Sequence, residues 1–379
     1  MSTLLLDISV KKRYNKSGEI FMLVKEKNNT DSSNTIRIPA FVDMHVHLRE
    51  PGQTHKETVF SGSRAAKAGG FSHILCMPNT SPVIDTPELV RYIRSRKAAV
   101  SVLPAAAVTK GQQGKELTDF YALKKAGALA FSDDGSPVED KNIMREAMYR
   151  AVENDVLIIS HCEDKSLITS RLQSPPEAEY SAVLRDCELA ENTGARLHIA
   201  HISTKESVDI IRNAKKKGAK ITCETCPHYF SLTRDDFFRV GTNAMMNPPL
   251  RKEEDVVAIK EGLRDGTIDV ISTDHAPHSV YEKNQAPEFA PFGIIGLETS
   301  FCVSYTFLVK SGIITFERLI SLMSEKPKEI LGIKSSSYVV VDINTEFIYD
   351  VSCSYSLSRN SPFDKQRFYG KILKTVLED

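Results

Sequence analysis

From residue 36 onward the chain alternates short apolar runs, spaced like strands, with longer stretches in which apolar positions recur every three or four residues. That switching between a period of 2 and a period of 3.6 marks repeated βα units. The runs that read as strands are Ile38 to His47, Ser72 to Met77, Val100 to Val108, Ala128 to Ser132, Leu157 to His161, Leu197 to His201, Lys220 to Thr225 and Ile268 to Thr273. Helical patterns lie between them, at Lys56 to Ala68, Pro87 to Lys97, Lys141 to Asn154, Lys205 to Lys217 and Glu253 to Arg264. The first is expected to open on a Thr54-x-x-Glu57 capping box and to stop at Gly69-Gly70. Eight such units predict an α/β fold, a (β/α)8 barrel. An open sheet would gather its polar residues at one switch point. Here His45/His47, Asn79, Asp133/Asp134, His161, His201, His228 and Asp274 all end or follow a strand, the place where barrels keep their chemistry.

The barrel pattern covers residues 36–331. Before it, residues 1–35 hold the strand-like runs Leu4 to Val10 and Ile20 to Val24 and a polar loop, Lys27 to Thr35. After it, residues 332–379 hold strand-like runs at Tyr338 to Ile343 and Glu346 to Val351. These flanks are expected to be the two parts of one small β domain. There is no internal repeat and no low-complexity segment.

Composition narrows the partners. The 379 residues are 41% hydrophobic and 26% charged, and Lys+Arg and Asp+Glu both number 49, so no net charge points to nucleic acid or an anionic membrane. A small molecule is the expected partner. Asp7 interrupts the first apolar run and no basic region precedes it, so no signal peptide is expected, and no uncharged stretch reaches the roughly 18 residues of a membrane span. Seven cysteines without framework spacing suit a reducing cytosol, and a cytoplasmic location is expected. Cys223-x-x-Cys226, inside a strand, reads as core thiols, with a redox or structural zinc pair as the alternative.

The chemistry begins at His45 and His47. Two strand residues two apart face one side, so their imidazoles would meet at one point. Unrelated strand histidines would look the same in isolation, but carboxylates and histidines at Asp134, His161, His201 and Asp274 end other strands of the same barrel. Imidazole and carboxylate suit zinc or a similar divalent ion, and a carboxylate can bridge two ions. Asp134 is favoured over Asp133 because it shares a strand face with the small residues Ala128, Ala130 and Ser132. His201, at a strand end, is favoured over His198, which reads as a core or supporting residue; His228 either lines the site or caps a strand. A metal pair generates hydroxide from water at neutral pH and polarises a carbonyl. Asp274 is then the candidate proton shuttle, its alternative being a ligand without proton transfer. Arg49, directly after the first pair, would match a carboxylate on the substrate, and Asn79 would offer hydrogen bonds at the same rim.

With these residues assembled, the stretches FVDMHVHLREPGQTHKET, MPNTSPVID, AFSDDGSPVED, HCED, HIAHIST, MNPPLR, STDHAPH and APFGIIGLET closely resemble the dihydroorotases of the amidohydrolase superfamily, from about Phe41 to Thr299. The combination of LREPG, MPNT and TDHAPH carries the specificity. The resemblance implies reversible interconversion of N-carbamoyl-L-aspartate and (S)-dihydroorotate in de novo pyrimidine synthesis. It implies zinc, one or two ions, on His45, His47, Asp134, His161, His201 and Asp274, with Asp274 as general acid/base. It assigns Arg49, Asn79 and His278 to the substrate carboxylate, and Asn247 with the Pro291 to Gly296 segment, including Gly293, to the ring. Candidate protein partners are a second copy of the chain and aspartate transcarbamoylase. Three departures stand out. Asp134 sits where many relatives carry a carboxylated lysine, the chain is short around Ser170 to Pro176, and SSYVVVDI replaces an ADLVI-like strand, which predicts a reduced small domain. Competing readings are an allantoinase, a hydantoinase or dihydropyrimidinase, and an inactive homologue scaffolding a transcarbamoylase. Arg49 and Asn79 argue for a ring bearing a carboxylate, and six filled ligand positions argue for activity.

Overall fold

A computed structural model describes residues 10–14, 20–24, 35–172 and 174–378. Eight parallel strands pair in sequence order: β1 (Phe41–Val46), β2 (Phe71–Cys76), β3 (Ser101–Ala106), β4 (Ala130–Phe131), β5 (Leu157–Ser160), β6 (Leu197–Ile199), β7 (Ile221–Thr225) and β8 (Val270–Ile271). The ring closes just past β8, where His275 bridges Val46 in parallel and the His47 amide donates to the His275 carbonyl at 2.8 Å. Inside, Val42, Met44, Leu75, Met77, Ala105, Ala130, Leu157, Ile159, Ala200 and Val270 form one cluster with Leu331. Ala105 and Ala130 on the neighbouring strands β3 and β4, and Ala200 just past β6, leave room for the larger residues, so the interior is a packed core and not a pore.

Helices Val59–Ala68, Pro87–Ser95, Phe120–Ala126, Lys141–Asn154, Pro176–Thr193, Lys205–Lys216 and Glu253–Asp265 follow the strands, close to the expected spans where the pattern was read. Most strands are shorter than their apolar runs, β4 and β8 at both ends, while β2 keeps its length one residue earlier. Two expectations fail. The run from Ile38 to His47 is two strands, Thr35–Pro39 and β1, parted at Ala40, whose amide goes to the Ser337 carbonyl while that of Phe41 goes to Gly70. The first helix is capped by Thr58 with Ser61, not by Thr54 with Glu57. Glu57 is instead buried, faces His275 Nε2 at 3.3 Å and accepts from Ser356 and the Leu357 amide, tying the barrel mouth to the C-terminal segment.

Thr35–Pro39 pairs antiparallel with Tyr338–Asp342, which pairs antiparallel with Lys371–Val376. Val10–Tyr14 and Ile20–Val24 form a separate antiparallel pair. The expected strand Leu4 to Val10 lies, apart from Val10, outside the described residues, as does the loop from Lys27 up to Thr35. Glu346 to Val351 yields only Phe347–Ile348, paired with Arg367–Phe368, before a 3-10 turn at Val351–Cys353. No described helix is long and apolar enough to cross a membrane. Cys223 and Cys226 are buried free thiols, and burial pushes Cys223 up to about 12, as core residues require.

Candidate metal centre and adjoining cavity

Four histidines and two aspartates from five strand ends meet at the barrel mouth, all of them buried. β1 delivers two of them through an irregularity. Its pairing with β2 shifts register between Asp43 and Val46, so Met44 faces the barrel interior while Val46 packs in the helix layer. Such a shift re-aims side chains at a strand end, and His45 and His47 both reach the mouth. His201 and Asp274 lie in left-handed backbone, at φ 32° and 45°, as does Arg49 at 57°. Non-glycine residues there cost free energy and persist where the surroundings impose them, often at functional sites.

Asp134 is the hub. Its Oδ1 lies 3.3 Å from His45 Nε2, 3.4 Å from His161 Nδ1 and 3.5 Å from His201 Nε2, and its Oδ2 is 3.5 Å from His47 Nε2. Asp274 Oδ1 is 3.0 Å from His47 Nε2 and 3.8 Å from His45 Nε2. The neighbouring Asp133 turns away, accepts from Thr109 and from the amides of Val108 and Thr109, and braces the loop after β3. The two aspartates thus face opposite ways, Asp134 toward the histidines and Asp133 toward the loop after β3.

Around this hub lies a set of supporting residues. His45 Nδ1 donates to Glu224 Oε1 at 2.9 Å, and Glu224 also accepts from Ser272 and faces His198 Nε2 at 3.2 Å. His47 Nδ1 donates to Asn79 Oδ1 at 2.8 Å, and Asn79 Nδ2 donates to Asp134 Oδ2 at 3.1 Å. Asp43 takes the His45 and Thr273 amides and the Thr273 hydroxyl, while burial lifts its carboxyl to about 7.

The donor pattern fits a cation. With Nδ1 of His45 committed to Glu224, both His45 Nε2 and Asp134 Oδ1 are buried without a hydrogen-bond partner among the described residues. Burial opposes charge on His45, but Asp134 and Glu224 outweigh it and hold the imidazole well above its ordinary range, so positive charge, as a proton or a metal ion, belongs between these two atoms. A histidine oriented by a carboxylate on its far nitrogen is also the usual support for a metal ligand. Electrostatics agree: burial disfavours charge on His161, yet Asp134 and Glu163 raise it to about 9. Burial likewise opposes ionisation of Asp274, but the His47 contact and the His45, His47 and His201 charges hold it at about 2. The residues that could hold metal fall into two groups, His45/His47/Asp274 and His45/Asp134/His201, with His161 beside the second.

A cavity of about 270 Å³ opens directly onto this cluster, lined by His47, Arg49, Asn79, Asp134, His161, His201, Asn247, Asp274, His278, Pro291 and Gly293, together with Arg171 and Phe292. All six residues expected at a substrate are therefore on one wall or another. Arg49 Nε donates to the Pro277 carbonyl at 3.2 Å, and its Nη2 lies 3.2 Å from His278 Nε2. Burial draws the Arg49 guanidinium down only to about 10, so it stays charged at neutral pH. His278 is kept neutral, first by burial and then by the charges of Arg49, Lys56 and Lys283. Its Nε2 donates to the Phe292 carbonyl at 2.8 Å, leaving Nδ1 to accept from Lys56 Nζ at 3.4 Å. Asn247 Nδ2 is 3.4 Å from His161 Nε2. Gly293 has φ 131°, and a Cβ there would lie 2.6 Å from the Ala276 Cβ, so only glycine lets the wall close on the mouth.

Several members went unread in the sequence. Glu224 was an ordinary position in ITCET, although its odd placement as a charge in a buried strand was a signal. Arg171, Lys56 and Lys283 carried none. His228 is buried, with Nε2 unpartnered among the described residues, and its neighbours include the charges of Asp274 and His201. The arrangement can hold a divalent cation, place an anion beside Arg49, and keep Asp274 ionised as a base next to both.

Comparisons with known proteins follow the same line. The family described as Dihydro-orotase-like matches residues 34–207. Proteins named dihydroorotase are 45% identical in Elusimicrobium minutum over 92% of this chain and 86% of theirs, and 42% identical in Aquifex aeolicus over 98% and 93%. Among solved structures, the L-hydantoinase (dihydropyrimidinase) from Arthrobacter aurescens superimposes with a TM-score of 0.85 at 23% identity, covering 95% of this chain and 92% of that one. A dihydropyrimidinase from Brevibacillus agri gives 0.81 at 18%, covering 95% and 91%. At such identities the structural likeness speaks for the fold.

Proposed function

The chain belongs to the dihydroorotase family of cyclic amidohydrolases, and from that premise we propose that it interconverts (S)-dihydroorotate and N-carbamoyl-L-aspartate with zinc, as a cytoplasmic step of de novo pyrimidine synthesis. The observation that carries this reading is the convergence of His45, His47, Asp134, His161, His201 and Asp274 on one point, with Arg49 on the wall beside them. Those six residues would hold the metal. Zinc bound there supplies Lewis acidity, which polarises a carbonyl and acidifies water. The catalytic unit is the barrel, 36–331, with a small β domain from the flanks.

The remaining steps belong to the chain's own side chains. Arg49 takes the substrate carboxylate, with His278 and Asn79 at the same rim and Asn247, Pro291 and Gly293 against the ring. Asp274, ionised and on the cavity wall, accepts the proton of the attacking water and returns it to the departing ring nitrogen as the carbon–nitrogen bond breaks. Ring closure runs the same proton path backwards. The hydantoinase and allantoinase alternatives take rings for which a buried, charged Arg49 has no carboxylate partner, and an uncompensated buried charge is costly.

Turnover of dihydroorotate against dihydrouracil, which lacks only the carboxylate, tests the reading. A charge-assisted hydrogen bond is worth about 1.5–3 kcal/mol, so dihydroorotate should lead by roughly 10- to 100-fold in kcat/KM. Equal rates on the two rings would remove the substrate assignment. Sizing the chain alone and mixed with aspartate transcarbamoylase would decide between a monomer, a homodimer and a mixed assembly.

A further inference from the structure

Lys283 is 3% exposed and has no part in the proton path described above. It ends the short helix Val280–Lys283, which begins just after His278 and is capped by Ser279. Its Nζ donates to the carbonyls of Pro291 at 2.9 Å, Gly293 at 3.0 Å and Met245 at 3.4 Å. Burial and the nearby Arg171 charge draw Lys283 down to about 7; as an ammonium it has three N–H donors and no acceptor, which the three carbonyls satisfy. Burying such a group is unfavourable unless every donor is paired. A lysine in this position therefore marks a place where three backbone oxygens must be gathered to one point.

Those oxygens belong to the two loops that face the metal cluster. Pro291 and Gly293 line the cavity, and Met245 lies two residues before Asn247, which also lines it. The Gly293 amide returns a hydrogen bond to the same Met245 carbonyl at 2.9 Å, so the loops meet at the ammonium. The carbonyl between the two on the 291–293 segment, that of Phe292, is held by His278. Arg171, on the same cavity wall, also holds the segment, donating to the Ala290 carbonyl at 2.6 Å and the Glu288 carbonyl at 3.4 Å, with its guanidinium 4.8 Å from the Phe292 ring centre.

We propose that Lys283 is a positioning residue for the ring-side wall of the cavity: by clasping the carbonyls of Pro291, Gly293 and Met245 it fixes where the 291–293 segment and Asn247 meet the substrate ring. It acts without touching substrate. The inference rests on the dihydroorotase reading for its kinetic test, though not for its structural one. A misplaced wall loosens the grip on ground state and transition state alike, which raises KM more than it lowers kcat.

The test is Lys283→Met, of similar length but without donors, measured as purified full-length protein. KM for dihydroorotate should rise about tenfold or more while kcat stays within about threefold. Zinc content should match wild type, and the Phe292 and Gly293 amides should exchange with solvent faster. A folded variant with unchanged KM and unchanged exchange overturns the proposal, even if it melts earlier, because that is the signature of a purely structural lysine. If Lys283→Met does not fold, Lys283→Gln, which keeps two donors, takes the same measurements and should show a smaller rise in KM. Failure of both to fold assigns Lys283 to stability alone and also overturns the proposal. A wild type without dihydroorotate turnover would fail the family reading instead, and amide exchange in the variants would still decide the role of Lys283.

Discussion

Asp274 carries the most exact demand at the scale of single residues. Its left-handed backbone sets the carboxylate against His47 Nε2 and, at longer range, against His45. Asp274→Asn keeps the shape and one ligand oxygen but removes the base. Zinc should largely remain while turnover falls by roughly 10²–10⁴ in both directions; retention of more than about a tenth of the activity would leave Asp274 a ligand only and move the proton to another group. Glu224 makes a different prediction. Glu224→Gln can still accept from His45 but carries no charge, so zinc should bind about 10- to 100-fold more weakly, read by chelator competition. Unchanged affinity would mean that the Glu224 contact only fills the core. The ligand candidates were legible because polar residues at strand ends stand out in an apolar pattern. Glu224 was not, since a buried carboxylate whose partners sit on β1, β6 and just after β8 shows them only once the barrel is closed.

Elements explain why boundaries were harder to read than identities. The apolar run at Ile38 to His47 is continuous in sequence, yet it serves two sheets, and the hand-over at Ala40 depends on Ser337 and Gly70, both remote in sequence. The helix Pro176–Thr193 is docked by a similar long-range contact, through Glu179. That buried carboxylate accepts from the Ser203 and Thr204 amides and from the hydroxyls of Ser203, Thr204 and Ser207, and pairs with Arg251 at 3.5 Å. Burial pushes its pKa up, but Arg251 and those hydrogen bonds outweigh it and hold Glu179 below the ordinary 4.5. A carboxyl depressed in the folded state adds stability above its unfolded value, and that stability is lost as pH falls through the folded one. Urea unfolding should therefore show stability dropping below about pH 4.5, less steeply in Glu179→Gln. Glu179→Ala, which leaves Arg251 buried and unpaired, should cost about 3–5 kcal/mol at neutral pH. A loss under about 1 kcal/mol would mean that water replaces the carboxylate.

For the whole molecule, eight βα units and their polar strand ends were enough to give the barrel, and the motif set was enough to give the family. What stayed hidden was how the C-terminal segment reaches the mouth, through Ser356 and Leu357 on Glu57 and Asn360 on Ala276 and Gly293. No local period records such contacts. On the proposed reading the same global arrangement would tie activity to metal, because the ligand candidates from β1 and from the loops after β4, β5, β6 and β8 share one point. The most direct measurement is dihydroorotate hydrolysis by the isolated chain, stripped by chelator and then titrated with zinc. Activity should vanish on stripping and return in proportion to zinc, saturating at one or two equivalents. Full activity in the stripped protein, or stoichiometric zinc with no turnover of dihydroorotate, would contradict the account.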